Sequence, residues 1–379
     1  MGLTGPAAPN GKAALMSMQM YAQEVNARGG ILGRPVEIVV YDDQTNPATV
    51  PGIYSKLLDV DHVDLLISGY GTNLQAPAMP TVMRRGKMFL GLFGLAVNDQ
   101  FHYERFFQMM PSGPDARIAF SRGFFDLAMS MQPKPSTVAL TGANAEFGHI
   151  ALEGARENAR NAGLKIVYDQ KYPPSTVDAG PIMRALAATK PDVVFVASYP
   201  PDSVALIRAA NEVGLKASMF GGGMIGLQYA TMKTQLGPLL NNIVYYDLNA
   251  PEPTMDFPGI KEFLTKYQSR AVQEGVDPLG YYLPPYAYSA MQIFEQAIVA
   301  TSSLDDAKLA AYAHQATFNT IVGKIQFGNG GEWNAPRILF VQFQDIVGND
   351  LSQFKRPGKQ VILNPEPYKS GTFRYPYKA

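Results

Sequence analysis

Apolar residues recur along this chain with two alternating periods, one typical of helices and one typical of buried strands. Residues 12–28 carry apolar side chains at helical spacing, and the Gly29-Gly30 pair predicts the end of that helix. Residues Val36–Tyr41 then predict a strand. The continuous apolar run at 63–68 is typical of a strand that is buried on both of its faces.

The same helix and strand unit recurs as far as about residue 221. The pattern predicts further helices over 47–60, 75–85, 115–131, 147–162, 178–189 and 202–213. It predicts further strands over 87–93, 137–141, 165–169, 192–198 and 217–221. Strands that alternate with helices indicate parallel sheets covered by helices on both faces and joined by right-handed crossovers.

The remainder of the chain departs from this alternation. A Pro-rich segment at 250–256 predicts a crossing between two lobes, and the helices predicted over 257–274 and 284–300 are assigned to the first lobe. Two strands predicted at 322–327 and 338–343 flank a glycine-rich connection, which indicates either a hairpin or a further crossing.

The length of 379 residues exceeds what one hydrophobic core usually supports and suits two domains. The predicted fold class is therefore α/β, with two doubly wound parallel-sheet lobes. The first lobe is assigned to residues 1–114 plus 250–327, and the second to residues 115–249 plus 328–379.

Composition narrows the classes of function. The chain has 32 basic and 32 acidic residues and no basic stripe, so nucleic acid is not an expected partner. It has no cysteine, which excludes disulfides, thiolate metal sites and a cysteine nucleophile. No apolar run reaches the roughly 18 residues that span a bilayer. Met1 leads directly into Gly2-Leu3-Thr4, with no signal peptide, and the short first strand leads us to expect a trimmed N-terminus.

Catalytic patterns are missing from the sequence. The histidines, His62, His102, His149 and His314, are widely separated, and no nucleophile elbow, Walker loop or zinc-protease motif is present. We expect no enzyme activity, no catalytic residues, no metal site and no cofactor. Asp42-Asp43 could form a metal pair, but a solvated strand end with turn-forming aspartates is favoured. Met16, Met18 and Met20 are assigned to the core.

Ligands of open parallel sheets bind beyond the carboxyl ends of the strands. The segments that follow the predicted strands are aromatic, hydroxylic and glycine-rich, and they are Gly69–Gln75, Phe93–Leu95, Gly142–Gly148, Tyr199–Asp202 and Gly221–Met224. Thr72 stands where a helix begins, so its hydroxyl could receive an anion, or Thr72 or Asn73 could simply cap the helix. Tyr281, Tyr282, Tyr286 and Tyr288 could line a binding site or pack a helix against a sheet.

With these segments in view, the chain resembles the leucine/isoleucine/valine-binding group of periplasmic binding proteins, the receptors of branched-chain-type ABC importers. The resemblance covers nearly the whole chain in order, and it is carried by Leu3–Pro6, Asn26–Ile31 with Gly33, Glu37–Asp43, Tyr70–Ala78, Phe147-Gly148, Tyr199–Pro201 and Val213–Lys216. It implies a type I periplasmic binding fold, in which two α/β lobes joined by a three-crossing hinge close over a ligand.

The resemblance also implies a role. The chain is expected to be a monomeric, periplasmic receptor that captures a small molecule in the interlobe cleft and delivers it to the membrane permease of an ABC importer. Two other classes stay open. One is a cytoplasmic ligand sensor of the same fold, and the other is an enzyme on a doubly wound fold, for which no phosphate loop or base–nucleophile pair is found.

Site residues follow from the same resemblance. The family holds the ligand carboxylate on the loop that matches Tyr70-Gly71-Thr72, with a contribution from the loop that matches Gly94-Leu95. A hydroxyl usual in amino-acid binders is absent at Leu95. The matching side-chain walls are Asn10, Phe147, Tyr199 and Pro285, together with Met224 beside the position discussed next.

At Gly223 the chain differs from the amino-acid binders of the family in a way that bears on the ligand. Amino-acid binders of the family tend to carry an acid at this position to hold the ligand ammonium, and here the segment reads Gly-Gly-Gly-Met. A buried ammonium without a carboxylate costs several kcal/mol. The glycine also suggests extra room. We therefore favour an aromatic carboxylate of the benzoate or phenylpropenoate type. A branched-chain or other amino acid is the alternative, and a two-residue shift in alignment would bring Glu212 or Asp247 into consideration.

Overall fold

The computed structural model describes residues 1–174 and 176–378. The chain divides into two compact units, one of Met1–Pro114 with Phe257–Pro336 and one of Asp115–Asp256 with Arg337–Ala379. The last two lobe boundaries, predicted at residues 250 and 328, lie at residues 257 and 337 in the structure.

The helices and strands are numbered in chain order. The α-helices are α1 Ala8–Ala27, α2 Val50–Asp59, α3 Thr72–Gln75, α4 Met79–Arg84, α5 Asn98–Phe101, α6 Ala116–Met129, α7 Glu146–Asn161, α8 Gly180–Ala188, α9 Pro200–Glu212, α10 Ala230–Leu236, α11 Ile260–Glu274, α12 Pro284–Thr301 and α13 Asp306–Ala313. The strands are β1 Leu66–Tyr70, β2 Phe89–Leu92, β3 Phe106–Gln108, β4 Thr137–Ala143, β5 Lys165–Tyr172, β6 Val193–Ser198, β7 Met219–Met224, β8 Val244–Asp247, β9 Phe318–Thr320, β10 Gly323–Ile325, β11 Leu339–Phe343 and β12 Gln360–Asn364. Short 3₁₀ turns lie at Pro47–Thr49, Ala76–Ala78, Gly237–Leu240, Pro253–Met255, Leu351–Lys355 and Glu366–Tyr368.

The first unit is built on a three-stranded parallel sheet in the order β1-β2-β3. Phe89 and Phe106 pack edge-to-face at 6.0 Å between neighbouring strands, and Tyr54 of α2 contacts Phe89 at 5.5 Å. Helices α1 and α12 pack against each other in the same unit. The apolar run predicted at 63–68 supplies β1, shifted by two to three residues toward the carboxyl end.

Two predictions for this unit were wrong. Residues Val36–Tyr41 have no strand assignment, because no neighbouring strand pairs with them in the described chain. The helix predicted over 75–85 is instead divided into α3, a 3₁₀ turn and α4. Pro77 and Pro80 explain the division, since each lacks the amide hydrogen that a continuous helix needs.

The second unit contains a seven-stranded sheet in the order β12-β11-β8-β7-β6-β4-β5. Strands β4 to β8 pair in parallel, whereas β11 pairs antiparallel with both β8 and β12. Every residue of β6 and β7 is buried, as is usual for strands of a parallel sheet that is covered on both faces. Phe124 of α6 covers the sheet by contacting Phe195 of β6 at 5.2 Å.

The carboxyl-terminal strands resolve the choice between a hairpin and a crossing. β10, within the predicted strand 322–327, pairs antiparallel with β9 of the same unit. β11, within the predicted strand 338–343, belongs to the sheet of the second unit. The glycine-rich connection is therefore not a hairpin between these two predicted strands, and the chain passes from one unit to the other after Pro336.

Close neighbours explain why strand β7 contains glycines. A Cβ atom on Gly221, whose φ is +145°, would lie 1.8 Å from the carbonyl oxygen of Val244 on β8. A Cβ atom on Gly222 would lie 2.5 Å from the ring of Phe195 on β6. Only glycine lets strand and ring approach this closely.

We expect Gly221→Ala to destabilise the protein by about 3 kcal/mol or more, because the added methyl group overlaps the Val244 carbonyl. Thermal unfolding followed by circular dichroism should show a midpoint several degrees lower. The matched control is Gly52→Ala on α2, where nothing lies within 4 Å and the change should stabilise the helix by about 0.5–1 kcal/mol. An unchanged unfolding midpoint for Gly221→Ala would contradict the close approach of Gly221 to the Val244 carbonyl.

Candidate ligand-binding loops

The loops after β1 and β2 are joined by hydrogen bonds. The amide of Gly71 donates to the carbonyl of Leu92 at 3.0 Å, and the amide of Leu95 donates to the Thr72 hydroxyl at 2.9 Å. Gly71 has a φ of +92° and is itself the N-cap residue of α3, so Thr72 and Asn73 lie inside the helix and not at its N-cap position. The Thr72 oxygen accepts a hydrogen bond, which leaves its hydroxyl hydrogen to be donated.

The loop after β2 contributes a backbone amide, and not a side chain, to the contact with Thr72. A Cβ atom on Gly94 would lie 2.3 Å from the amide oxygen of Gln75, so glycine is needed to accommodate that side chain. Gln108 donates to the same oxygen at 3.0 Å. The side chain of Leu95 is buried, and its amide is the group that reaches Thr72.

A buried aromatic cluster surrounds the first loop. The hydroxyls of Tyr70 and Tyr282 lie 3.2 Å apart, and Phe93 contacts Tyr282 at 5.0 Å and Tyr286 at 4.9 Å. Trp333 contacts Tyr286 at 6.3 Å. These edge-to-face and tilted contacts hold the rings in fixed orientations. The cluster gathers residues that are more than 200 positions apart in sequence.

The tyrosines near α12 divide between two roles. Tyr282 and Tyr286 belong to the aromatic cluster, whereas Tyr288 contacts Tyr21 of α1 at 4.9 Å and donates to Glu24. Tyr281 hydrogen-bonds with Gln268, and burial raises its pKa. Tyr288 therefore serves helix packing. Asn10 and Pro285 lie buried in the first turns of α1 and α12, which are packed together.

Asp42 and Asp43 form turns rather than a metal site. Asp42 accepts hydrogen bonds from Leu3, Thr4 and Gln44, and Asp43 accepts one from Thr45. Burial alone would raise the pKa of Asp42, but these hydrogen bonds outweigh it and lower the pKa to about 2. Asp43 is buried, so the expectation of a solvated pair was wrong for that residue.

In the second unit, four aromatic rings follow one another at the carboxyl edge of the parallel strands. Phe147 and Tyr199, both named from sequence, have ring centroids 5.9 Å apart. Phe120 contacts Phe147 at 5.6 Å and Tyr246 at 5.0 Å. Sequence reasoning missed Phe120 and Tyr246, because each lies in an apolar run that reads as ordinary core.

Gly223 and Met224 end β7 beside these rings. A Cβ atom on Gly223 would lie 3.0 Å from the Phe120 ring, so that ring occupies the space next to the glycine. The expectation that Gly223 leaves extra room was therefore wrong. Met224 is fully buried. Phe120 is fully buried, and its ring fills the space beside Gly223 that a larger residue on β7 would have needed.

Three carboxylates of the second unit are candidates for the role of the acid that is absent at Gly223. Asp247 is buried, which raises its pKa to about 6, and the charge of buried Lys233 partly opposes that rise. Glu212 is exposed at the carboxyl end of α9, away from the strand ends. Glu146 is the residue that sequence reasoning missed. It is half-buried at the start of α7 next to Phe147, and burial raises its pKa.

Glu332 is the most perturbed carboxyl of the first unit. It precedes Trp333 and is buried, and it accepts a hydrogen bond from the Ser112 hydroxyl at 3.0 Å. Burial raises its pKa to about 8, Ser112 opposes the rise, and the charge of Asp99 adds to it.

Within residues 1–174 and 176–378, no group of three or more His, Asp or Glu side chains is arranged to hold a metal ion. None of the helices described there combines the length and hydropathy needed to cross a bilayer.

Comparison with known proteins identifies what this chain is similar to. The family model described as "Periplasmic binding protein" matches residues 1–345. The Leu/Ile/Val-binding protein homolog 7 of Brucella abortus is 24% identical over 276 residues, which cover 70% of this chain and 68% of that protein.

Two solved structures share the fold. The substrate-binding protein LivJ of Streptococcus pneumoniae, in complex with isoleucine, aligns with a TM-score of 0.78 at 16% identity, covering 96% of this chain and 97% of that one. A solute-binding protein of R. palustris in complex with 4-hydroxybenzoate aligns with a TM-score of 0.77 at 18% identity, covering 96% and 93%. These matches confirm the resemblance inferred from sequence and the type I periplasmic binding fold.

Glu332 predicts a pH dependence of stability. Because its pKa in the folded protein lies above the ordinary value of 4.5, its contribution to stability is greatest below about pH 4.5 and declines as pH rises toward 8. We expect Glu332→Gln to flatten the loss of melting temperature between pH 5 and pH 8 and to raise it by several degrees at pH 8. Glu262→Gln, whose side chain is 73% exposed, is the control and should retain the original pH profile. If both variants show the same dependence of melting temperature on pH, the pH dependence does not come from Glu332.

Proposed function

The chain belongs to the periplasmic binding protein family, and we propose that it is the extracytoplasmic solute-binding component of an ABC importer whose ligand is a small aromatic carboxylate. The family consists of solute-binding receptors, so the chain is a receptor and not an enzyme. Under this proposal, loops at the carboxyl ends of the parallel strands hold the ligand, and the membrane permease of the importer is the partner that receives it.

The end of β7 carries the argument for the ligand class. The Phe120 ring packs against Gly223, where amino-acid binders of the family tend to place an acid, and Phe147, Tyr199 and Tyr246 belong to the same aromatic cluster. Tyr199 is the ring of this cluster that is not fully buried, and a ligand ring packed against it would gain about 0.5–1.5 kcal/mol beyond the area it buries. An ammonium group beside the same rings would need a carboxylate to offset its desolvation.

The first unit has groups that can donate hydrogen bonds to the carboxylate of the ligand. The Thr72 oxygen already accepts from the Leu95 amide, so its hydroxyl hydrogen can be donated to a ligand oxygen. A hydrogen bond to a charged group contributes about 1.5–3 kcal/mol. Tyr70 is the last residue of β1, directly before this loop, and its ring contacts Phe93 and Tyr282. We assign the carboxylate to Tyr70-Gly71-Thr72 and Gly94-Leu95.

The other candidate residues complete the proposed site. Asn10, Pro285, Phe147, Tyr199 and Met224 are assigned to contacts with the remainder of the ligand. The similar solved structures do not choose between ligand classes, because one holds isoleucine and another holds 4-hydroxybenzoate at comparable similarity. The choice therefore depends on the residues of this chain.

One observation favours a second candidate, an amino-acid ligand. Glu146 is a half-buried carboxylate next to Phe147 at the strand ends of the second unit. Burial raises its pKa, and the charge of a ligand ammonium would oppose that rise. If the ligand is an amino acid, Glu146 is the residue that we expect to hold its ammonium.

We expect 4-hydroxybenzoate, benzoate or cinnamate to raise the melting temperature by a few degrees, because ligand at 100 times its Kd adds about 2.7 kcal/mol of stability. Leucine and isoleucine, tested at the same concentration by thermal shift, should leave the melting temperature unchanged. A rise with leucine that is abolished by Glu146→Gln would instead support the amino-acid candidate and overturn the aromatic one.

We expect Thr72→Val to weaken binding of the aromatic acid about tenfold or more, since the hydroxyl hydrogen bond is lost while the side-chain volume is retained. Isothermal titration calorimetry gives the Kd. The control is Thr81→Val, which changes a buried threonine on α4 in the same unit and should keep the original affinity. Equal affinities for both variants would remove Thr72 from the site.

A further inference from the structure

The chain contains two Asn-Gly pairs, Asn10-Gly11 and Asn329-Gly330, and the structure places them in opposite surroundings. In such a pair the backbone nitrogen of the glycine can attack the side-chain carbonyl carbon of the asparagine, because glycine has no Cβ atom to hinder the approach. The attack requires an asparagine side chain that can rotate and a glycine amide that no hydrogen bond holds. Each pair therefore reacts only where the fold meets both requirements.

The first pair meets neither requirement. Asn10 and Gly11 lie in the first turns of α1, and the Gly11 amide donates to the carbonyl of Ala7 at 3.0 Å. Asn10 is buried, with 2% of its surface exposed. Attack by the Gly11 nitrogen would break a helical hydrogen bond, and it would also need the buried side chain to turn toward its own backbone. The fold therefore protects Asn10.

The second pair forms the tip of a tight turn in the first unit. Residues Gly328–Gly331 make a four-residue turn, which is closed by the hydrogen bond from the Gly331 amide to the Gly328 carbonyl at 2.9 Å. Asn329 and Gly330 occupy its two central positions, and both are exposed. In the part of the chain that the structure describes, neither the Asn329 side chain nor the Gly330 amide has a hydrogen-bond partner.

The surroundings of Gly330 leave room for the attack. Apart from its chain neighbours, no heavy atom lies within 4 Å of the position that a Cβ atom would take. The turn can also deform at Gly330, because glycine adopts backbone conformations that other residues rarely adopt. Asn98 of α5 opposes this movement, since its side-chain amide donates to the Gly330 carbonyl at 2.9 Å. We therefore expect the folded chain to react at Asn329, but more slowly than an unfolded chain.

We propose that Asn329-Gly330 is a site of spontaneous deamidation in the folded protein, whereas Asn10-Gly11 is not. The Gly330 amide gives its proton to hydroxide, and its nitrogen forms a bond to Cγ of Asn329. The bond from Cγ to the side-chain nitrogen breaks, and that nitrogen takes up a proton and leaves as ammonia. The product is a cyclic succinimide. Water then adds to either of its two carbonyl carbons, so residue 329 becomes an aspartate or an isoaspartate.

Isoaspartate changes the backbone as well as the charge. It routes the chain through the side-chain carbon and so lengthens the turn by one CH₂ group. The bond from the Gly331 amide to the Gly328 carbonyl, and the bond from the Gly328 amide to the Glu332 carbonyl at 2.8 Å, then lose their fit. Phe327 and Trp333, which form a β-bridge directly beyond this turn, lose its support. Isoaspartate should therefore lower stability, whereas an aspartate at an exposed position should change it little.

The test is prolonged incubation of the folded full chain at mildly alkaline pH, followed by proteolytic digestion and mass spectrometry. We expect the peptide with Asn329 to gain about one mass unit and to separate into aspartate and isoaspartate forms, while the peptide with Asn10 keeps its mass. Incubation in denaturant removes the protection by α1, so both peptides should then react. A protein isoaspartate methyltransferase with a labelled methyl donor should label the incubated chain.

Variants separate the parts of the reaction. Asn329→Gln should prevent it over the same incubation, because glutamine would have to close a larger ring. Gly330→Ala should slow it about tenfold or more, since the methyl group fits the open space but hinders the attack. Asn329→Asp carries the charge without the longer backbone, so its melting temperature should stay close to that of the original chain. The isoaspartate form should melt a few degrees lower.

Two results would overturn the proposal. In the first, the peptide with Asn329 keeps its mass in the folded chain, which would mean that the turn protects this residue. In the second, Asn10 reacts as fast as Asn329 in the folded chain, which would mean that the fold does not select between the two pairs.

Discussion

Parallel pairing of strands is the constraint on which the candidate site of each unit depends. In a parallel sheet every strand ends at the same edge, so residues far apart in sequence are delivered to adjacent loops. In the first unit this places the Thr72 hydroxyl within 2.9 Å of the Leu95 amide. In the second unit it brings the β7 end, the start of α7 and Tyr199 into one aromatic cluster. The loops are short, so their geometry follows from the sheets that carry them.

Glycines in or beside these loops allow side chains from other elements to approach the backbone closely. Gly94 makes space for the Gln75 amide, and Gly223 makes space for the Phe120 ring. In both cases the missing side chain is replaced by a group from another element, and the residue that fills the space sets the chemistry of the site. A glycine near a binding loop therefore need not mean an open pocket. At Gly223 the result is a buried aromatic ring in place of an acid, and an ammonium beside it would have no carboxylate partner from β7.

The two units satisfy their backbone groups to different degrees. The second unit closes its core with seven strands, of which β6 and β7 are buried throughout. The first unit has three parallel strands and keeps Val36–Tyr41 extended beside a groove.

The order of helices and strands, the α/β class and the family could be predicted from sequence, because helical and strand periodicities are local properties and the motifs that carry the resemblance are contiguous. Thr72, Phe147 and Tyr199 could be named as candidates for the same reason, since each follows a recognisable strand. Tertiary structure decided the rest. Val36–Tyr41 has the composition of a strand, yet a strand exists only when a neighbour pairs with it. Phe120 and Tyr246 read as ordinary core until packing placed them against Gly223 and one another. The sequence by itself determined the elements and the broad role, whereas the ring beside Gly223 and the Thr72–Leu95 hydrogen bond arise from contacts between distant residues, which no local pattern encodes.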